Sequence, residues 1–311
     1  MSRLPAGMAC LLFLIAFGGD KAARAAGQEQ QQASTSVKKA AVNPAGYVGQ
    51  ESCARCHEDV VKNFGTNLHS RLTLEHAGKG ATCESCHGPG KAHVDSGGDV
   101  TKIVRFGPAG EKQSDENCLK CHGGRRANFR NAAHAEQGVG CTSCHGVHQG
   151  NSEAHLLKVS QPQLCYQCHS DVKPAFSQPF HHRVDEGLMN CSDCHDPHGS
   201  FGKNNLRATA DQNAVCARCH RETAGPFAYE HPVVSVEGCV SCHSPHGSAN
   251  AHLLNVSSVN ALCQQCHAPT NAAASAQARS AMAANQTAQE AVCTSCHTQI
   301  HGSNTSNIFL R

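Results

Sequence analysis

The pattern Cys-x-x-Cys-His occurs ten times in this 311-residue chain and uses every cysteine beyond Cys10. The copies are Cys53/Cys56/His57, Cys83/Cys86/His87, Cys118/Cys121/His122, Cys141/Cys144/His145 and Cys165/Cys168/His169. Then come Cys191/Cys194/His195, Cys216/Cys219/His220, Cys239/Cys242/His243, Cys263/Cys266/His267 and Cys293/Cys296/His297. In each, the two thiols have the spacing to add across the two vinyl groups of one haem. The histidine that follows is then placed under the iron as the proximal ligand. One copy alone would also suit a redox dithiol or half of a zinc site. Ten copies, each with its histidine and none without, point to ten covalently bound haem c groups. A disulfide scaffold requires no histidine after every second cysteine.

Composition explains why the cofactor matters to the fold. Leu, Ile, Val and Phe make up 52 of 311 residues, and there is no Trp. A chain so poor in large apolar side chains falls among those that cannot build a core of their own. Ten flat macrocycles can supply that interior, so folding is expected to depend on the haems, as it does where metal binding and folding are one process. The expected class is a decahaem c-type cytochrome, mostly coil with short α-helices wrapped around a staggered chain of ten haems, with little or no β structure. A net charge of +2 gives no basic footprint for nucleic acid.

The N-terminus reads as an export signal. Met1-Ser2-Arg3 is a short cationic start, residues 8–17 (MACLLFLIAF) are an apolar run of signal length, and Ala23-Arg24-Ala25 offers a cleavage site near Ala25. That run is too short to span a bilayer. Cys10 lies inside it and would leave with it. Covalent haem attachment of this kind takes place beyond the inner membrane, which fits a periplasmic destination.

Residues 26–46 (AGQEQQQASTSVKKAAVNPAG) lack periodicity and read as a disordered lead-in. From Tyr47 onward the motifs begin 23 to 35 residues apart, too close for separate cores, so the remainder is a repeat array. Each Cys-x-x-Cys segment is expected to start or end a short helix, with turns at the following Gly and Pro. The Ala-rich residues 272–292 suit either one longer helix or a link.

The array has a two-motif period. Even-numbered motifs carry a second histidine in a short tail: His93, His148, His198, His246 and His301. Odd-numbered motifs are followed by a histidine ahead of the next motif: His69, His134, His182 and His231. These nine are the candidate distal ligands. His148, His198 and His246 lie three residues past a proximal histidine, too close to reach the opposite face of the same haem, so each is expected to serve a neighbouring one.

Four histidines are surplus to the repeat: His76, His155, His181 and His252. His155 and His252 share the context A-H-L-L-x-V-S, and the matching place after the sixth motif is Asn205-Leu206, which favours a surface role. His181 adjoins His182 and is an alternative to it. After the ninth motif no histidine appears before Cys293, and Met282 is the single sulfur or imidazole donor in that interval. The ninth haem is therefore expected to be the odd one, with Met282, a borrowed histidine or an open iron. A His/Met pair would raise its potential above that of bis-histidine neighbours.

From Tyr47 to the C-terminus the chain resembles the MtrA/DmsE family of decahaem periplasmic cytochromes. The likeness rests on motif order and spacing, and on CESCHGPG at 83–90, CSDCHDPHGS at 191–200, CVSCHSPHGS at 239–248, LCQQCH at 262–267 and CHTQIHGSN at 296–304. The family string RGPxxxEH is met loosely by AGPFAYEH at 224–231. The resemblance implies two pentahaem lobes, here 47–180 and 181–311, with all haems bis-histidine. It implies insertion in an outer-membrane β-barrel porin, a periplasmic or inner-membrane donor cytochrome, and an extracellular multihaem cytochrome or terminal acceptor. The chain departs from the family after the ninth motif, where Ala268-Pro269-Thr270-Asn271 stands in place of a histidine.

The function expected from the residues is electron transport along the haem row between periplasm and cell exterior, without catalysis. Two axial ligands per iron keep substrates off the metal. One alternative is a multihaem reductase with a single open haem at the ninth motif. The other is an extracellular cytochrome wire.

Overall fold

The computed structural model describes residues 46–75, 81–107, 111–148, 155–207, 211–267 and 292–310. The signal, nearly all of the lead-in, the Ala-rich segment with Met282, and His76 lie outside the described residues. What is described is coil punctuated by short helices. The regular β structure among these residues is one antiparallel pair, Tyr229–Glu230 with Gly302–Ser303. No described helix is long and apolar enough to cross a membrane.

Each motif is one helical turn. The histidine N–H donates to the carbonyl of the first cysteine at 2.9–3.0 Å in His57, His145, His169, His195, His220, His243, His267 and His297. Residues i, i+3 and i+4 of such a turn share a face. The spacing therefore delivers two thiols and an imidazole to the same side of the backbone. Odd-numbered motifs close helices, as in Glu111–His122, Gln163–Tyr166, Asn213–Ala217 and Val259–Gln264. Even-numbered ones open them, as in Cys83–His87, Cys141–Cys144 and Cys191–Cys194, or form 3₁₀ turns at Cys239–Ser241 and Cys293–Ser295.

Motifs are clamped in doublets, odd with following even. The N–H of Cys141 donates to Asp115 Oδ1 (2.8 Å), that of Cys239 to Asn213 Oδ1 (2.9 Å), and that of Cys293 to Asn260 Oδ1 (2.8 Å). Each acceptor sits three residues before the first cysteine of its odd motif. Gln161 does the same work for the Ser192 N–H at 3.0 Å. In the first doublet Glu84, only 7% exposed, accepts from the N–H groups of Val48, Gly49 and Gly90. Burial alone would raise the Glu84 carboxyl, but those three donors outweigh it and hold the group below the usual carboxylate range.

Successive doublets are stitched where a loop ahead of one even motif crosses the tail of a later one. Asn67 Nδ2 donates to the Val147 carbonyl, His134 Nδ1 to Pro197, His182 Nδ1 to Pro245 and His231 Nδ1 to Ile300, at 2.6–2.9 Å. At the third crossing Phe180 and Ser248 form an isolated bridge. The approach is closest at Gly247, where an added Cβ would lie 1.8 Å from the Ala175 carbonyl oxygen. At Gly199 it would lie 2.7 Å from the Ala132 Cβ. Backbone cannot yield as a side chain can. Gly247→Ala is therefore expected to lower stability by about 3 kcal/mol and to pull the His182 and His246 loops apart. Thermal unfolding followed at the Soret band measures this, and an unchanged midpoint would refute the crossing.

The interior contains little protein. Among the described residues the buried apolar side chains are Leu119, Phe129, Ala132, Phe176, Val184 and Val215. Their burial falls an order of magnitude short of the conformational entropy of ordering such a chain.

Candidate haem centres

The imidazoles come in pairs, each joining one motif histidine to one outside the motifs. Ring centroids are 6.4 Å apart for His57 and His93, 5.9 Å for His87 and His148, and 6.0 Å for His122 and His69. They are 6.0 Å apart for His145 and His198, 6.0 Å for His169 and His134, and 6.1 Å for His195 and His246. The series ends with His220 and His182 at 6.3 Å, His243 and His301 at 6.2 Å, and His267 and His231 at 6.1 Å. Ring planes run from 15° in His57/His93 to 82° in His69/His122, so the constant quantity is the separation, not a stacking geometry. Two imidazoles sharing one metal through bonds of about 2 Å, with ring nitrogens roughly 1 Å from each centroid, stand about 6 Å apart. The pairs fit a haem iron between them. No group of three or more metal-binding side chains forms among the described residues.

Hydrogen bonding sets the tautomer. In the even-numbered motifs the proximal ring is held: His87 Nδ1 donates to the Val104 carbonyl, His145 to His155, His195 to Asn204, His243 to His252 and His297 to Ile308, at 2.6–2.8 Å. Opposite the odd-numbered motifs the facing ring is held instead: His93 by the Asp99 carbonyl, His134 by Pro197, His182 by Pro245, His231 by Ile300, and His69 by the Asn67 amide oxygen. A carbonyl can only accept, so Nδ1 carries the proton and Nε2 keeps its lone pair for a metal. Each motif thus has one oriented imidazole. The fourth has a second, because His198 Nδ1 also meets the Asp196 carboxylate at 3.2 Å. Burial pushes His69, His145, His148, His198, His246 and His301 below the usual histidine range, favouring the neutral form that ligates.

All nine histidines outside the motifs that the repeat singles out stand in these pairs, but the register is longer than adjacency suggests. An even-numbered motif is faced from the tail of the even motif after it, so His148 faces His87 and His301 faces His243. From the third motif on, an odd one is faced by the histidine lying between the two motifs before it. This corrects the expectation for the ninth motif. His267 is faced by His231, and the ring without a facing imidazole among the described residues is His297. Counting forward from the ninth motif misplaced the gap, because the fold reaches back two motifs for that partner.

The surplus histidines have other roles. His155 and His252 are exposed and contribute only backbone carbonyls, to His145 and His243. Their counterpart at the sixth motif is Asn204, one residue before the Asn205 expected from the sequence, and Asn serves equally there because only the carbonyl is used. The turn is left-handed there, with φ 54° at Asn204 and 57° at His252. His181 is bound through both nitrogens, to the Gln178 carbonyl and to Glu186 at 3.0 Å.

The sequence treats the two thiols of a motif alike, and the polypeptide does not. Every first cysteine is half-buried, whereas Cys56, Cys86, Cys121, Cys168, Cys219, Cys266 and Cys296 are exposed. The reason is local. A first cysteine is covered by the other motif of its doublet, while the second stands at the far end of the turn. Cys144, Cys194 and Cys242 escape exposure because the loop after each folds back. The N–H groups of Lys158, Arg207 and Asn255 donate to their carbonyls at 2.8–2.9 Å.

The motifs form one unbroken ladder in chain order. Within each doublet the first cysteines are neighbours: Cys53 with Cys83, Cys118 with Cys141, Cys165 with Cys191, Cys216 with Cys239 and Cys263 with Cys293. Between doublets the second cysteine of an even motif neighbours the next odd motif: Cys86 with Cys118 and Cys121, Cys144 with Cys168, Cys194 with Cys216 and Cys219, and Cys242 with Cys266.

Comparison with known proteins agrees. Family models described as doubled CXXCH motif match residues 133–174, 181–225 and 231–272, and one described as cytochrome c7 and related cytochrome c matches 34–125. The multiheme cytochrome MtrA of Shewanella baltica strain OS185 is 33% identical over 288 residues, covering 88% of this chain and 84% of that protein. The C-type polyheme cytochrome OmcC of Geobacter sulfurreducens is 26% identical over 219 residues, covering 56% of this chain but 26% of the relative. A ladder of haem-attachment motifs, imidazoles paired at iron-spanning distance and this degree of relationship place the chain in the MtrA family of multihaem c-type cytochromes, electron-transfer proteins with covalently bound haem.

Proposed function

We propose that the chain is a decahaem conduit, carrying electrons in motif order from one end of the ladder to the other. In this reading all ten motifs hold haem c, and the nine imidazole pairs are the axial ligands of nine irons. Electrons enter from a periplasmic or inner-membrane donor cytochrome and leave to an extracellular multihaem cytochrome or terminal acceptor. The protein sits in an outer-membrane β-barrel porin after export and removal of the signal. The observation that carries the reading is the ladder: first cysteines are neighbours within each doublet, and the second cysteine of each even motif lies near the next odd motif. Haems tied to those cysteines are neighbours in series, the arrangement electron hopping requires. Iron with two imidazole ligands changes charge without opening a site for substrate. Resemblance to MtrA supports the conduit over a free-standing wire.

In liposomes that hold the haem-loaded protein together with its porin, a reductant sealed inside should reduce an acceptor outside that cannot cross lipid. Neither protein alone should support that flux. Equal flux without the cytochrome, or rapid turnover of nitrite, sulfite or hydroxylamine by the isolated cytochrome, would overturn the proposal.

A further inference from the structure

We propose that the tenth centre, on His297, is the ligand-exchange site of the array: its second axial position is not held by imidazole and accepts a small exogenous donor such as carbon monoxide. This rests on reading the nine imidazole pairs as axial ligand pairs.

The pairing register carries the argument. Even-numbered motifs take their partner from the even motif after them, and odd-numbered motifs from the interval two motifs upstream. That rule leaves each end of the ladder one motif with no regular source. At the front, the first motif has no upstream interval, and His93 in the tail of the second motif faces His57 instead. At the back, the tenth motif has no later even motif, and the corresponding spare interval is the one between the ninth and tenth motifs. Residues 268–292 contain no histidine. The front end is completed from its spare interval, and the back end has no imidazole there to use.

The proximal side of the tenth centre is nonetheless fully built. Asn260 holds the Cys293 N–H at 2.8 Å, the His297 N–H donates to the Cys293 carbonyl at 3.0 Å, and the His297 ring donates to the Ile308 carbonyl at 2.6 Å. No other described histidine is available to face it. Each of the nine outside the motifs already faces another motif, His181 is bound through both ring nitrogens, and His155 and His252 lie on the surface beside the fourth and eighth motifs. The helix that precedes His76, Leu68–Glu75, carries His69 to the third motif. A centre with one strong imidazole and an exchangeable opposite face thus stands at the end of the ladder.

Carbon monoxide titration of the fully reduced, haem-loaded protein tests this through the Soret difference spectrum, independently of electron flux. One equivalent per chain is expected, matched by one high-spin iron in the oxidised protein. His246→Ala calibrates the count by raising uptake to two. Cys293→Ala combined with Cys296→Ala and His297→Ala removes the tenth haem and should abolish native uptake; uptake that persists would overturn the location. No uptake by the native protein would overturn the proposal and leave the nine pairs standing. Uptake appearing only in Met282→Ala or His76→Ala would name the residue that fills the position, and would overturn it equally. Two or more equivalents in the native protein would overturn the pairing itself.

Discussion

Polypeptide made where haem is not attached will show no cooperative unfolding transition, whereas the haem-loaded protein will unfold cooperatively. The expected difference is the entire transition, not a shift of its midpoint. Six buried apolar side chains among the described residues cannot offset the ordering of the chain. Paired rings stand 5.9–6.4 Å apart, so they do not pack on each other but on whatever lies between them. Without haem each pair loses its shared contact, and the thiols that meet within doublets, such as Cys118 and Cys141, are left adjacent and free to oxidise to disulfides. Circular dichroism on heating and amide hydrogen exchange on apo- and holoprotein measure the difference. A cooperative transition in reduced apoprotein would show that the polypeptide has a core of its own.

The haem-bearing residues were legible because the chemistry is local. Two thiols and an imidazole belong to one helical turn, and no distant contact is needed to read them. The unequal cover of those thiols was not legible, because it depends on which loop folds back, over Cys194 but not over Cys56 or Cys219. The nine facing histidines were legible as a set, because the two-motif repeat is written in the sequence. Their partners were not. His148 lies three residues from His145 yet faces His87, since the stitch between Asn67 and the Val147 carbonyl fixes where that tail lies. The same long register gives His267 a facing ring in His231 and leaves His297 without one among the described residues. Backbone roles were hidden for another reason. Val104, His155, Asn204, His252 and Ile308 share no side-chain chemistry, because only their carbonyls are used. One signal was available and went unread: Asp115, Asn213 and Asn260 each stand three residues before the first cysteine of an odd motif.

His246→Ala should convert one low-spin iron to high spin at the centre on His195, leave every haem attached, and cut flux through the porin-bound protein at least tenfold. The assignment follows from the 6.1 Å pair, and attachment is untouched because Cys191 and Cys194 are not involved. Loss of an imidazole removes electron donation that stabilises ferric iron, so the potential of that centre rises. An interior centre with a raised potential traps the electron, and escape slows about tenfold for each ~59 mV of displacement. His198→Ala should do the same at the centre on His145, where the Asp196 carboxylate is lost as a partner too. His252→Asn provides the contrast. Its ring is exposed, its carbonyl alone holds His243, and its φ of 57° is one that Asn tolerates, as Asn204 does at the matching turn. That variant should remain low-spin and conduct normally. Magnetic circular dichroism and electron paramagnetic resonance count the high-spin irons. A low-spin spectrum in His246→Ala, or a high-spin centre in His252→Asn, would mean that the paired rings are not the axial ligands.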